Sequence, residues 1–280
     1  MNPPLPAMNA IALLRALGKR GRAPRPGEDV PPYDSAYRLD ALDPHHIASY
    51  NAALGFGSDA LPVTYYYLIA QRAHLATLLD ERFPFAIAGS VHVENELVEY
   101  LRPALDDAMD IVTTVQVEAP TETGARYCVL ETVAGHAGKK FFSCRSRYLA
   151  RRGQRKASRQ NRDGESPLPV VGQWTLSPAA GREYAAVSGD WNPIHLWTWS
   201  ARLMGMKQPI IHGMHTVAKA CAAIEGHTGR RVRSVEARFK APIPLGSEAS
   251  LAYAPGRNEY VVLCNGRVSV QGTLGLESST

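Results

Sequence analysis

The order of helical and strand-like segments predicts an α+β protein built from two units of similar design. In each half of the chain, a long helical segment is followed by short strands that are separated by Gly, Pro and Asp turn residues. A polar, basic segment near the middle of the chain separates the halves. This repeated order indicates that an antiparallel sheet wraps a central helix, once in each half.

The first half carries its helix at residues 65–82, a mostly apolar run without Gly or Pro. Such a run predicts a helix that is buried on most of its faces. Alternating residues between turn signals then predict strands at 91–98, 111–117, 127–133 and 141–148.

The second half carries an Ala-rich helix predicted over 213–225, with Gly226 as its stop. Strands are predicted to follow at 235–240, 249–253, 260–264 and 268–276. A shorter helix is predicted to begin at Ser177 and Pro178 and to be ended by Gly189. The residues directly after Gly189 are therefore expected to form a loop.

Four segments follow from this organisation. They are an N-terminal extension at 1–32, a first unit at 33–150, a basic linker at 151–170 and a second unit at 171–280. Residues 8–20 predict a basic amphipathic surface helix, with an organelle-type presequence as the alternative.

Composition limits the class of protein. Hydrophobic residues make up 45% of the chain and charged residues 20%, which is typical of a globular protein and argues against disorder. Charged residues interrupt every apolar stretch before the roughly 18 residues needed to cross a bilayer, so no membrane span is expected. Four widely spaced cysteines predict reduced core thiols and a cytoplasmic location: Cys128, Cys144, Cys221 and Cys264.

Basic residues are concentrated between Arg145 and Arg162. A run without interleaved aromatic residues favours a solvated linker. Contact with the phosphates of a coenzyme, or with nucleic acid, is the alternative. Because the chain has no recognisable motif for reading nucleic acid, no nucleic-acid partner is expected.

The segment from Gly189 to His195 carries groups suited to proton transfer. Asp190 and His195 stand five positions apart, and Asn192-Pro193 favours a turn between them. Hydration of a double bond beside a thioester needs a group that activates water, a proton donor for the α-carbon and a donor for the enolate-like oxygen. The pair can supply the first two, and the backbone N–H of Gly213, at a predicted helix start, can supply the third. The alternative for either residue alone is a capping aspartate and a surface histidine.

Residues 184–195, followed by Ile210-Ile211-His212-Gly213-Met214, resemble the MaoC-like dehydratases, also called the (R)-specific enoyl-CoA hydratase or hydratase 2 family. The clear match spans Ser177 to Gly246. This resemblance implies a double hotdog fold in which Asp190 and His195 hold the water. By the same resemblance, Asn192 orients the pair and the Gly213 amide binds the thioester carbonyl.

The first half resembles the non-catalytic hotdog of two-hotdog members in residues 61–65 and 91–96. Residues 49–54, Ser-Tyr-Asn-Ala-Ala-Leu, stand where the acid–base loop would be, and the pair is missing there. One active site per chain is therefore expected, with the first half widened to hold the acyl tail.

Three further residues near the pair are candidates for substrate binding: Ser188, His212 and Trp191. For His212, a packing or capping role is an equal alternative, and large rings such as Trp191 more often pack in a core.

The sequence thus predicts a hydro-lyase of fatty acid metabolism that interconverts trans-2-enoyl and 3-hydroxyacyl thioesters. No metal and no cofactor is expected, with coenzyme A present only as part of the substrate. The expected partners are an acyl-CoA or acyl-carrier-protein thioester and a second copy of the chain in a homodimer. The alternative is a non-catalytic protein that binds acyl thioesters or acyl carriers.

Overall fold

The computed structural model describes residues 2–22, 29–151 and 168–278. Its helices are α1 (Ala10–Gly18), α2 (Pro44–Leu54), α3 (Tyr66–Leu79), α4 (Ala180–Ser188), α5 (Thr198–Leu203) and α6 (Gly213–Thr228). Its strands are β1 (Tyr33–Leu39), β2 (Val91–Glu99), β3 (Met109–Val117), β4 (Arg126–His136), β5 (Lys139–Arg151), β6 (Val170–Thr175), β7 (Val232–Phe239), β8 (Glu248–Ala254), β9 (Glu259–Cys264) and β10 (Arg267–Leu276).

These elements group into two compact units. The first comprises Met1–Leu42 and Tyr66–Gln160, and the second comprises Asp43–Tyr65 and Asn161–Thr280. The sequence-based segments place residues 43–65 in the first unit, whereas the contacts group them with the second. The reason is that α2 packs against α4 and α6.

The first unit is an antiparallel sheet in the strand order β1-β3-β4-β5-β2, with α3 packed against β1, β3, β4 and β5. Most residues of α3 are buried, which explains why its sequence is apolar around the whole helix. Tyr33, Val115 and Leu130 of the sheet form a core cluster with Leu78 of the helix and Phe85. The predicted helix and four predicted strands of this half are confirmed, whereas β1 was not predicted.

The second unit repeats the design with the strand order β7-β10-β9-β8-β6, again antiparallel. Helix α6 packs against β6, β7 and β10, and α2 packs against α6. The predicted strands of this half are confirmed, and β6 is the strand that the sequence reading missed. An α+β architecture in which each sheet covers one long helix is therefore present in both units.

Two predicted helix ends are wrong. Helix α6 continues through Gly226 and ends at Gly229, whose φ of 65° is the left-handed conformation that favours glycine at a C-cap. Helix α4 begins at Ala180 rather than at Pro178, because the Ser177 hydroxyl accepts the Ala179 N–H in a turn that precedes the helix. Its predicted end is confirmed, since Gly189 caps it with φ 75°.

The cysteines are buried and unpaired, as expected for core thiols. None of the described helices has both the length and the apolar character needed to cross a bilayer. In the basic run, Arg147 makes a bidentate ion pair with Glu118, and Arg145 pairs with Glu131. Residues 152–162 of this run lie outside the described residues.

His74 is a buried titratable group on α3. Its Nε2 lies 3.0 Å from the Thr132 hydroxyl, which is itself bonded to Thr113. Burial lowers the pKa of His74 to about 3 because the charged imidazolium would lose its hydration. At mildly acidic pH, His74 is therefore protonated in the unfolded chain and neutral in the folded chain.

The His74→Leu variant should lose less stability on acidification than the parent chain. Because the pKa is depressed in the folded state, His74 favours unfolding progressively as the pH falls below the ordinary value of about 6.5. Between pH 7 and pH 5 this amounts to about 2 kcal/mol of unfolding free energy. Urea denaturation at both pH values measures the difference, and His227→Gln, at an exposed histidine of α6, is the control. An equal loss in His74→Leu and the parent would contradict the assignment.

Candidate active site

The loop after α4 brings Asp190 and His195 together within the second unit. Gly189 turns the chain out of α4, and residues Pro193–His195 form a single 3-10 turn. Gly181, on α4, lies directly under this turn, and a Cβ there would overlap the carbonyl oxygen of His195. The helix can therefore approach the loop only because residue 181 is a glycine.

A chain of local hydrogen bonds fixes the Asp190 carboxylate. Its Oδ1 accepts the Asn192 N–H at 3.2 Å, and the Asn192 side chain accepts the Ile194 N–H at 3.4 Å. The Asp190 N–H donates to the Ser188 hydroxyl at 3.2 Å. The Asp190 side chain remains 27% exposed, so it can meet a ligand. Asn192 thus lies where the predicted orienting role requires it, and that role stays a prediction.

His195 is buried and held by the backbone. Its Nδ1–H donates to the Ile210 carbonyl at 2.8 Å, so in the neutral ring the Nε2 carries the free lone pair. Burial, and next the neighbouring His212, lower the pKa of His195 to about 3, while the negative charge of Asp190 opposes this shift. The ring is therefore neutral at physiological pH, in the tautomer that leaves Nε2 able to accept a proton.

His212 lies against both members of the pair. Its ring stacks on that of His195 at 3.7 Å between centroids, and its Nε2–H donates to the Asp190 carbonyl at 2.8 Å. Burial lowers the pKa of His212, and Asp190 opposes that effect. Tyr184 is also buried, and its ring centre lies 4.9 Å from that of His212. This packing matches one of the two roles considered for His212, and direct contact with substrate stays a prediction.

Gly213 is the first residue of α6, directly after the N-cap residue His212. The first N–H groups of a helix have no acceptor within the helix and lie at the positive end of its dipole. A Cβ at position 213 would come within 2.6 Å of the Phe239 ring, so a larger residue would displace the start of the helix. The candidate oxyanion donor is therefore adjacent in the chain to a residue bonded to Asp190.

The other two candidates differ in exposure. Ser188 is buried and accepts the Asp190 N–H, so its hydroxyl supports the loop. Trp191 is 40% exposed and is therefore not a core residue. Substrate binding by either residue stays a prediction.

Sequence reading missed the residues that hold this loop from outside. Arg182 donates to the Leu196 carbonyl at 3.0 Å, and Ser200 donates to the Pro193 carbonyl at 2.7 Å. Gly181 has a detectable signal, since a glycine within a helix usually marks close approach. The Ile210 carbonyl has none, because every residue carries a carbonyl.

A metal ion is a further reading of this cluster. One donor atom each of Asp190, His195 and His212 lies within 4.8 Å of the others. His195 Nδ1 and His212 Nε2 donate to backbone carbonyls, which leaves Nε2 of His195 and Nδ1 of His212 unprotonated in the neutral rings. These hydrogen bonds are therefore compatible with metal ligation as well as with proton transfer.

The first unit contains a separate cavity of about 760 Å³ next to α1. Its lining mixes basic and acidic side chains: Arg15, Lys19, Arg20, Arg22, Arg82, Asp29 and Glu81. No acid–base pair comparable to Asp190 and His195 lies among its lining residues. The candidate site is therefore identified by the arrangement of Asp190 and His195, and not by the volume of a cavity.

Comparison with known proteins places the chain in a family. The family described as "MaoC like domain" matches residues 157–261. The chain is 31% identical to 3-hydroxyacyl-thioester dehydratase X of Mycobacterium tuberculosis over 222 residues, which cover 77% of this chain and 78% of that protein. The crystal structure of HtdX from Mycobacterium tuberculosis superposes with a TM-score of 0.69 at 26% identity, covering 85% of this chain and 98% of that one.

A second Mycobacterium tuberculosis structure, described as having a double hotdog fold, matches with a TM-score of 0.57 at 12% identity, covering 89% of this chain and 97% of that one. At that identity the likeness concerns the fold alone. The chain belongs to the MaoC-like dehydratase family and has the double hotdog fold, as the resemblance of residues 184–214 implied.

Two substitutions of His212 distinguish the role of its hydrogen bond from the role of its aromatic ring. His212→Phe keeps an aromatic ring beside His195 but removes the donor to the Asp190 carbonyl, so the loop should lose its register and the turnover of a thioester substrate should fall by about tenfold to a hundredfold. His212→Gln keeps an N–H donor of similar reach and should recover most of that rate.

Steady-state kinetics measure this difference, with circular dichroism as the check on folding. Equal rates in the Phe and Gln variants would show that the His212 donor does not position the loop.

Proposed function

We propose that this protein reversibly dehydrates 3-hydroxyacyl thioesters to trans-2-enoyl thioesters, with coenzyme A as the thiol carrier. The observation that carries the proposal is the neutral His195, held through Nδ1 and with its Nε2 lone pair available, in one cluster with the Asp190 carboxylate. Support also comes from the relative named as a 3-hydroxyacyl-thioester dehydratase, whose similarity covers most of both chains.

In the hydration direction, His195 Nε2 accepts a proton from water as the water oxygen adds to C3 of the enoyl chain. The buried imidazolium that forms is unfavourable by itself, and the carboxylate of Asp190 stabilises it, in line with the upward effect of Asp190 on the His195 pKa. The same proton then reaches C2, so one water is added across the double bond. Dehydration follows these steps in reverse.

Negative charge develops on the thioester oxygen when C3 is attacked. We assign the Gly213 N–H to this oxygen, because an N–H at a helix start is fixed and needs no reorganisation during the reaction. Water adds to C3 and its proton is transferred to C2 without any transfer of electrons to or from a cofactor, so we expect no metal or redox cofactor to be needed.

We place one active site in the chain, in the second unit. Residues 49–54, where the resemblance would put a second acid–base loop, lie in α2 and pack within the second unit. A widened first unit that holds the acyl tail stays a prediction, as do the homodimer and the cytoplasmic location.

Asp190→Asn and His195→Gln should each lower turnover of crotonyl-CoA by about a hundredfold or more, since general acid–base groups contribute on that scale. Loss of absorbance at the enoyl-thioester band measures the rate. Asp59→Asn and His227→Gln change the same residue types at exposed positions and should keep full activity. Full activity in both Asp190→Asn and His195→Gln would contradict the assignment of these two residues as the acid–base pair.

The alternative is a protein that binds acyl thioesters without turning them over. Binding of crotonyl-CoA by the parent chain, with no hydration at any chain length, would support this alternative over catalysis. A panel that varies acyl length and branching decides the substrate range.

A further inference from the structure

Two exposed tryptophans follow the catalytic loop in the second unit. Trp197 is 42% exposed and Trp199 is 64% exposed, and their rings lie nearly parallel, 6.0 Å apart at 13°. Leu203, one turn further along α5, is 79% exposed but carries no aromatic ring and is not part of this pair. Exposure of large aromatic rings to water is unfavourable. Two exposed tryptophan rings beside the candidate active site therefore indicate a surface that contacts another molecule.

The formally charged residues between 191 and 209 are all basic. The Arg182 guanidinium lies 5.9 Å from the centre of the Trp197 ring, and its Nη1 is anchored on the Leu196 carbonyl. Arg202 lies on α5 and Lys207 follows it, both exposed. Residues 191–209 contain no Asp or Glu. The surface therefore combines aromatic faces with positive charge.

A nucleotide has the complementary chemistry. Its base offers a flat π-face that stacks on aromatic side chains, and its phosphates favour arginine, whose planar group binds their oxygens in pairs. Coenzyme A joins such a nucleotide to the reactive thioester through the long, flexible pantetheine arm. Four residues of extended chain span at most about 14 Å, so Trp199 lies within reach of a nucleotide whose thioester is at His195.

We propose that Trp197, Trp199 and Arg182 form a subsite for the 3′-phospho-ADP part of coenzyme A. This proposal rests on the proposed function, because it takes the thioester to be at Asp190 and His195. It adds that the carrier is recognised by its nucleotide, which a carrier-protein thioester lacks.

Two substrates with the same acyl group test the subsite. Crotonyl-CoA carries the nucleotide, and crotonyl-pantetheine carries the same thioester without it. Trp199→Ala should lower kcat/KM for crotonyl-CoA by about tenfold through KM, the scale of one base stacked on an aromatic ring, and leave crotonyl-pantetheine unchanged. Trp199→Phe should recover part of the loss because it keeps a π-face.

Leu203→Ala is the matched control, since it removes an exposed apolar side chain from the same helix without removing an aromatic ring. It should leave both substrates unchanged. Adenosine 3′,5′-bisphosphate should quench the tryptophan fluorescence of the parent and do so less in Trp199→Ala.

Several results would overturn the subsite. These are an equal effect of Trp199→Ala on both substrates, no effect on either, a loss confined to crotonyl-carrier protein, or a shift from dimer to monomer in sedimentation. A parent chain inactive on every thioester, including the pantetheine ester, would instead refute the proposed function.

Discussion

Two hydrogen bonds from imidazole to backbone carbonyl define the geometry of this site. His195 donates from Nδ1 to Ile210, and His212 donates from Nε2 to Asp190, each at 2.8 Å. Because a carbonyl accepts and never donates, the two bonds select opposite tautomers in rings that stack on each other. They also tie the loop after α4 to the chain that begins α6. The proposed acid–base pair and the candidate oxyanion donor are thus held by the same contacts.

The fold supplies the close packing that these bonds need. A glycine lets α4 pass under the His195 carbonyl, and another lets the start of α6 lie against the Phe239 ring. Burial then keeps both histidines neutral, since an imidazolium without water is costly unless a carboxylate is near. Asp190 remains partly exposed and provides that carboxylate. Positive charge on His195 is therefore unfavourable at rest and is tolerated only beside Asp190.

Much of this arrangement follows from the sequence, for physical reasons. The apolar α3 and Ala-rich α6 are predictable because burial fixes their composition, and the motif from Gly189 to His195 predicts the loop that carries the pair. Strands β1 and β6 escaped prediction because their short, mixed patterns match loops equally well. Gly226 is a misleading stop, since an exposed glycine is tolerated within a helix at a cost of about 1 kcal/mol. Residues 43–65 pack with the second unit, and this grouping depends on tertiary contacts that no local sequence pattern encodes.

The tautomers of the two stacked histidines test this account most directly. Nitrogen-15 NMR of histidine-labelled protein, assigned with His195→Gln and His212→Gln, reports which ring nitrogen carries the proton. The account predicts that His195 is neutral and protonated at Nδ1, and that His212 is neutral and protonated at Nε2, at neutral pH. A His195 ring protonated at Nε2, or on both nitrogens, would contradict it, because no lone pair would then remain at Nε2 to accept a proton from water.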